Sequence, residues 1–510
     1  MTSAARTRLI RLLVRIFISG LSLAVFLMHI AAAPRLEIID RVENYLYDVR
    51  IRLTMPATVD DRIVIIDIDE ASQAELGQWP WPRNTLATLV DRLFDDYGVR
   101  VLGLDVLFAE AEETSAERLL DELAAAARAE SDSVAGKLEQ MRATLDSNYR
   151  FAESLIARDV VTGFVFKDSL SPGEPETTGV LPAPIIAGSD LAGVTAPFVD
   201  ASGFAGNLRA LQENAFAGGF FDSPLIDADG VFRRAPLVQQ YAGDLYPSLA
   251  LAVAHVALGS PPVGLQFAAR DDGRMSGIEL EHFMLGDIPI PVSEQVAVFI
   301  PYRGPQESFP FISARDVLNG VAPVELLENR IALLGASAAG LLDLRSTPVG
   351  QRYIGVEAHA NLIAGLIDGK IRQQPAYSDG LELFLLLVVA VLTAWLLPRL
   401  APLSSLAFVV FILVGAMAGN LWLWSALGLV VPLASVLMYT LIAAMLHITY
   451  GFFIEQRNKR HLSQIFGQYI PPSLVEEIDA SGEEISLEGE TREMSVLFSD
   501  VRGFTTISEG

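Results

Sequence analysis

Hydrophobic positions fall into two regimes along this chain. Long, mainly apolar runs cover residues 9–33, 381–397, 403–424 and 427–453, with Glu382 at the outer end of the second. Each approaches the roughly 20 residues a helix needs to cross a bilayer, so four membrane helices are expected. Pro432 falls inside the last run and is expected to kink it. Between residues 34 and 380 the blocks are shorter. Residues 62–69, RIVIIDID, and 99–108, VRVLGLDVLF, are nearly continuous apolar stretches, as expected of strands buried on both faces. Between them Leu86, Leu89, Val90, Leu93, Phe94 and Tyr97 recur at helical spacing, with Asn84 as the expected cap and Gly98 as the stop. Strand, helix, strand in that order implies a right-handed parallel unit, which apolar blocks at 160–166 and 331–335 can extend. The alanine- and glutamate-rich stretch 111–157 reads as one or two exposed helices. Residues 227–237 read as a turn with a strand, and 246–258 as an apolar helix. The expected fold class is an α/β domain held by an all-α bundle of four transmembrane helices.

Charge placement orients the bundle. Arg6 and Arg8 precede the first run and Arg11 and Arg15 lie in its leading edge, Arg399 lies in the turn after the second, and Arg457, Lys459 and Arg460 follow the fourth. Basic residues stay on the cytoplasmic side. Residues 1–8 and 454 onward are therefore expected inside, and 34–380 outside, in a multi-pass protein of a cell inner membrane with a periplasmic domain. A cleaved signal peptide ending at Ala31 to Ala33 is the alternative, disfavoured by Pro34 directly after it. Trp422 and Trp424 sit where indoles often line a membrane interface. Across the 510 residues 62 acids oppose 37 basic side chains, which argues against a nucleic-acid partner. With no cysteine, disulfides, thiolate metal sites and cysteine nucleophiles are excluded.

Candidate chemistry lies in two places. Asp67, Glu70 and Asp105 fall at or near the carboxyl ends of expected neighbouring strands, where ligands of open α/β sheets bind, and are candidate contacts for a sensed molecule. GASAAG, 335–340, lacks the Lys-Ser/Thr of a phosphate loop and reads as a tight turn; His359 has no second histidine at metal-binding spacing. The second place is residues 493–510, EMSVLFSDVRGFTTISEG, where a strand runs into Asp500 and a glycine turn, the pattern of a metal-dependent phosphate site. Between them, in the connector and linker 454–492, Leu462, Ile465, Phe466 and Tyr469 form an apolar stripe suited either to a dimer contact or to packing on a following domain.

IVIIDIDEAS, GQWPWPR, VRVLGLDVLF, SPLIDADGVFRRAPL and IALLGASAAGLLDLRSTPVGQRYIGVEAHANLI together resemble the type-two CHASE extracytoplasmic sensor domains, from about residue 42 to 370. That family typically places three membrane helices after its sensor. FSDVRGFT, 498–505, resembles the first strand and turn of the class III adenylate/guanylate cyclase domain, an α+β, ferredoxin-like fold. The resemblance implies that Asp500, helped by the Val501 carbonyl, binds two divalent cations, Mg or Mn, and that Arg502, Gly503, Phe504 and Thr505 face the nucleotide phosphates. It implies a homodimer acting on ATP, chosen over GTP by family frequency alone, and releasing pyrophosphate. The family's second metal aspartate and its base-selecting residues would lie beyond Gly510, so no complete catalytic set is present and residues 1–510 alone are expected to be inactive. A kinase-coupled or nonenzymatic sensor, and a guanylate cyclase, are the alternatives; the stimulus is not named by the sequence.

Overall fold

The computed structural model describes residues 3–31, 36–112, 146–167, 176–191, 198–267, 280–293, 295–338, 340–341 and 344–466, with 495 and 497. The chain divides into two units, Met1–Ala443 and Ala444–Gly510.

Within the first unit, helix α1 (Ser3–Ile30) and helix α2 (Glu37–Thr54) lead into the central sheet. Its parallel core comprises β1 (Ile63–Ile68), β2 (Val101–Leu104), β3 (Val160–Lys167) and the strands Ala217–Phe220, Phe311–Ser313 and Ile331–Ala336. In space the order is Phe311–Ser313, β1, Ile331–Ala336, β2, β3, Ala217–Phe220, every neighbouring pair parallel. Successive side chains of a strand point to opposite faces. Ile63, Ile65, Val101, Val161 and Leu333 accordingly pack beneath the helices Leu249–Ala257 and Gly355–Asp368. Val64, Ile66, Leu102, Leu104 and Leu334 pack on the other face against Arg83–Asp91, Ser147–Leu155 and Ala314–Leu318. The result is a three-layer α/β/α domain, which explains why β1 is buried throughout and apolar except at Asp67: water reaches neither face.

Three local expectations are corrected. The helix after β1 and the short helix Glu70–Leu76 starts at Arg83, whose amide donates to Glu112 at 2.8 Å, so Asn84 lies inside the first turn rather than capping it. Ser147–Leu155 is not exposed, because Phe151 and Leu155 sit in the core; residues 113–145 lie outside the described residues. The fourth apolar helix begins at Ala434, not 427. Residues 427–433 form an extended turn tied to Gln373, whose amide donates to the Gly428 carbonyl at 3.0 Å and whose carbonyl accepts from Val430 at 2.8 Å. Pro432 belongs to that turn and kinks no helix.

Among the described residues four helices are long and apolar enough to cross a membrane: Leu13–Ile30, Ser378–Leu396, Pro402–Ala426 and Ala434–Ile454. Phe26 of the first, Leu386, Val389 and Ala390 of the second, and Val436, Tyr439 and Ala443 of the fourth form one apolar core. The connector residues Leu462, Ile465 and Phe466 fall on the last helix, which runs to Phe466, while Tyr469 lies outside the described residues.

Candidate functional site

Chain direction marks one end of the sheet as special. After β1 and after β2 the chain enters helices on one face; after Ile331–Ala336, the strand between them, it enters Gly355–Asp368 on the other. A crevice opens where neighbouring connections diverge in this way. Gly335, at that strand's end, admits the opposite-face helix: an added Cβ would stand 2.6 Å from Val356.

Asp67 and Asp105 flank this strand end. Asp67 pairs in register with Gly335, and its carboxylate accepts the Ser337 amide at 2.9 Å and the Ser337 hydroxyl at 2.5 Å. Burial, and after it the Asp69 charge, pushes the Asp67 pKa up, against the pull of the Ser337 bonds. Asp67 is thus held by the protein's own turn. The Asp105 amide donates to the Leu334 carbonyl at 3.0 Å, and its carboxylate lies 4.0 Å from His359 Nε2. His359 is accordingly a half-buried neighbour of an acid rather than a plain surface residue. Glu70 is exposed at the start of its helix, whose cap is Asp69, accepting from the Ser72 amide at 2.7 Å and the Ser313 hydroxyl at 3.0 Å. Beside the crevice, the space among Asp222, Arg345 and His359 amounts to about 20 Å³, room for one water and not for a metabolite. Among the described residues no three His, Asp or Glu side chains are grouped to hold a metal ion. Asp500, Val501, Arg502, Gly503, Phe504 and Thr505 lie outside the described residues.

A second polar constellation, which the sequence reading missed, surrounds α2. Glu43, Tyr47, Arg50 and Thr54 are spaced four, three and four residues apart and so share one helical face. Glu43 accepts the amides of Leu433 and Ala434 at 2.6 and 2.8 Å, placing a carboxylate on the N-terminus of the fourth apolar helix. Arg50 donates to Glu43 and to Asn420, both at 2.7 Å, and to the Val431 carbonyl at 3.2 Å. Thr54 accepts the Trp424 indole N–H at 2.8 Å, and Tyr47 stacks edge-on against the same indole. Trp424 is therefore packed inside this junction, while Trp422 stays 60% exposed.

The adjoining face of α2 meets the α/β domain. Asp48 accepts two bonds from Arg233, at 2.7 and 2.9 Å, and Arg52 donates to the Pro348 carbonyl at 2.6 Å. Arg233 also bonds Asp227 and Asp229 at 2.8 to 2.9 Å. The turn of SPLIDADGVFRRAPL sets this up: the Gly230 amide closes on the Asp227 carbonyl at 2.8 Å, with φ +77° at Gly230, so both acids face back toward Arg233. Burial opposes the Arg233 charge, yet the bonds to Asp48, Asp229 and Asp227 outweigh it and hold its pKa above the ordinary value. Its hydrogen bonds in turn keep the Asp229 carboxyl below the usual range. Deeper in the domain, Glu357 accepts the Ser308 amide at 2.7 Å, and burial pushes its pKa up to about 7.

A scan against protein-family models matches the CHASE2 domain over residues 21–395. The matched segment takes in the α/β domain, α2 and parts of the apolar helices on either side. No curated protein and no solved structure was found to match.

Proposed function

We propose, from the fact that this chain belongs to the CHASE2 domain family, that it is a membrane sensor in which α2 carries the state of the α/β domain to the membrane helices. The observation behind this reading is the two-sidedness of α2. Asp48 and Arg52 hold the domain, and Glu43, Arg50 and Thr54 hold the ends of the third and fourth apolar helices, all through buried or half-buried polar bonds. A change in the domain that shifts α2 strains the bonds at both ends, since leaving a buried polar group unpaired costs about 1–3 kcal/mol. The crevice at the end of Ile331–Ala336, flanked by Asp67 and Asp105, is our candidate for where a stimulus acts on the domain, with Glu70 at its margin.

In this reading the α/β domain lies outside the cytoplasm and both termini inside, an orientation supported by the basic residues around the apolar helices. The lack of cysteine makes this easy to test. A single cysteine at Tyr149, which is 60% exposed, should react with a membrane-impermeant maleimide in intact spheroplasts, and one at Lys459 only after lysis. Labelling of both from the same side would refute the topology.

For the output we propose cyclisation of ATP to cyclic AMP by paired catalytic domains. What supports it is residues 493–510 alone, with Asp500 and Val501 as the ligands of Mg or Mn and Arg502 to Thr505 at the phosphates. The metals would activate the ribose 3′ oxygen and neutralise phosphate charge. In a protein carrying the whole catalytic domain, Asp500→Ala should abolish cyclic AMP formation while leaving the protein folded; retained activity would remove Asp500 from the site. Formation of cyclic GMP instead would favour the guanylate alternative.

A further inference from the structure

We propose that the cavity between the end of α2 and the outer end of the third apolar helix binds the phosphate headgroup of an anionic phospholipid. The cavity measures about 590 Å³, within the size range of small-molecule sites. Thr54 lies on one wall, Arg303 and Asp368 on another, and Lys370, Arg372 and Trp424 complete it.

Its charges do not balance internally. Asp368, the carboxylate on the cavity wall, is bound by Arg62 at 2.7 Å, and Arg303 is bound by Asp60 at 2.8 Å. Two cations remain. Lys370 is 80% exposed and no closer than 3.9 Å to Asp368. Arg372 makes no hydrogen bond or ion pair with any described residue; its Nε is buried without a partner, and its guanidinium lies 4.2 Å from the Trp424 ring centroid. Burial pushes its pKa down, opposing the charge it carries. An aromatic face attracts a cation but accepts none of its N–H groups in the plane of the guanidinium, so the fork still calls for oxygen acceptors. Phosphate matches that fork. Lys370 shares Asp368 with Arg62, so in a chain of net charge −25 the cavity carries a local excess of positive charge, with Arg372 unpartnered among the described residues.

Position selects the source of the phosphate. Trp424, Leu427 and Gly428 on the cavity wall end the third apolar helix, Pro402–Ala426, and begin the turn after it, the level at which headgroups lie if that helix spans the bilayer. Ile371 and Leu427 add apolar wall for the glycerol end of a lipid, which inorganic phosphate would not use.

The test uses the full chain in detergent, titrated separately with dioleoyl phosphatidylglycerol, dioleoyl phosphatidylcholine and inorganic phosphate, and read by native mass spectrometry and by the melting temperature. Saturable phosphatidylglycerol binding is expected, about tenfold or more tighter than phosphatidylcholine, and weakened about tenfold or more by Arg372→Gln or Lys370→Glu. Lys370 is exposed, so K370E decides the matter even if R372Q fails to fold. Equal phosphatidylglycerol binding by wild type and K370E, or no preference over phosphatidylcholine, would overturn the proposal. Inorganic phosphate binding as tightly as the lipid would overturn the lipid assignment.

Discussion

Replacing Arg233 by methionine removes a cation but keeps most of the buried stem. Arg233 is 3% exposed and donates five hydrogen bonds, of 2.7 to 2.9 Å, to Asp48, Asp227 and Asp229. The substitution leaves three carboxylates facing one another, two of them with side chains only 10% and 12% exposed. Removing one partner of a buried ionic group costs about 3–5 kcal/mol. With about 2.1 cal/mol/K of unfolding entropy per residue over roughly 300 residues, that loss lowers the melting temperature by about 5–8 °C. The pH dependence has a definite sign. Asp229 is held below its usual pKa by Arg233, so its contribution is present above the unfolded carboxylate pKa and is lost as pH falls through the folded one. Without the arginine the Asp229 carboxyl loses this depression. The deficit of R233M should therefore be full at pH 7 and shrink below about pH 4. Melting of the full chain at both pH values, with D48N and the double variant, measures this. A deficit under about 1 kcal/mol, a deficit equal at both pH values, or strict additivity of the two substitutions would refute the reasoning.

Other outcomes follow from the same geometry. Glu357 keeps a proton up to about pH 7 in the fold but loses it near 4.5 when unfolded, so the wild type loses about 3 kcal/mol of stability as pH rises through that window. Glu357→Gln should flatten this slope, its melting temperature gaining on the wild type between pH 5 and pH 8; parallel curves would contradict it. Ser337→Ala removes a hydroxyl donor from the buried Asp67 carboxylate and should cost about 1–3 kcal/mol in urea unfolding. A loss within experimental error would mean that Asp67 does not pin the turn. Purified residues 1–510 should convert no ATP to cyclic AMP in the presence of Mg or Mn, as measured by chromatography of the products.

Much of the α/β domain could be read from local pattern. β1, β3 and Ile331–Ala336 are continuous apolar blocks because both faces of the sheet are covered, and such blocks carry their own signal. The strand-end positions of Asp67 and Asp105 were legible for the same reason. Their partners were not: Ser337 is 270 residues from Asp67, and no local rule links them. α2 shows the difficulty most clearly. Its charged face looks like solvated surface until Asn420, Trp424 and Leu433, some 370 to 390 residues away, supply the partners that bury it. The one available signal was the spacing of Glu43, Tyr47, Arg50 and Thr54 directly after an apolar helix. Trp424 ends an apolar run as expected, but a tryptophan there suits both a lipid-facing ring and a protein junction, and only the contact with Thr54 shows that its ring is packed inside. Pro432 misled in a similar way: apolar residues in the turn 427–433 extend the hydropathy of the helix after them without extending the helix.

The measurement that most directly tests coupling through α2 is amide hydrogen exchange in the full chain carrying Arg233→Lys, which keeps the charge but loses the fork. Exchange should accelerate at Val430, Leu433 and Ala434, at the membrane end of α2, while Leu333 and Leu334 in the central strand keep their protection. Unchanged exchange at Leu433 and Ala434, with loosening confined to residues 227–236, would contradict the transmission of the domain's state to the membrane helices.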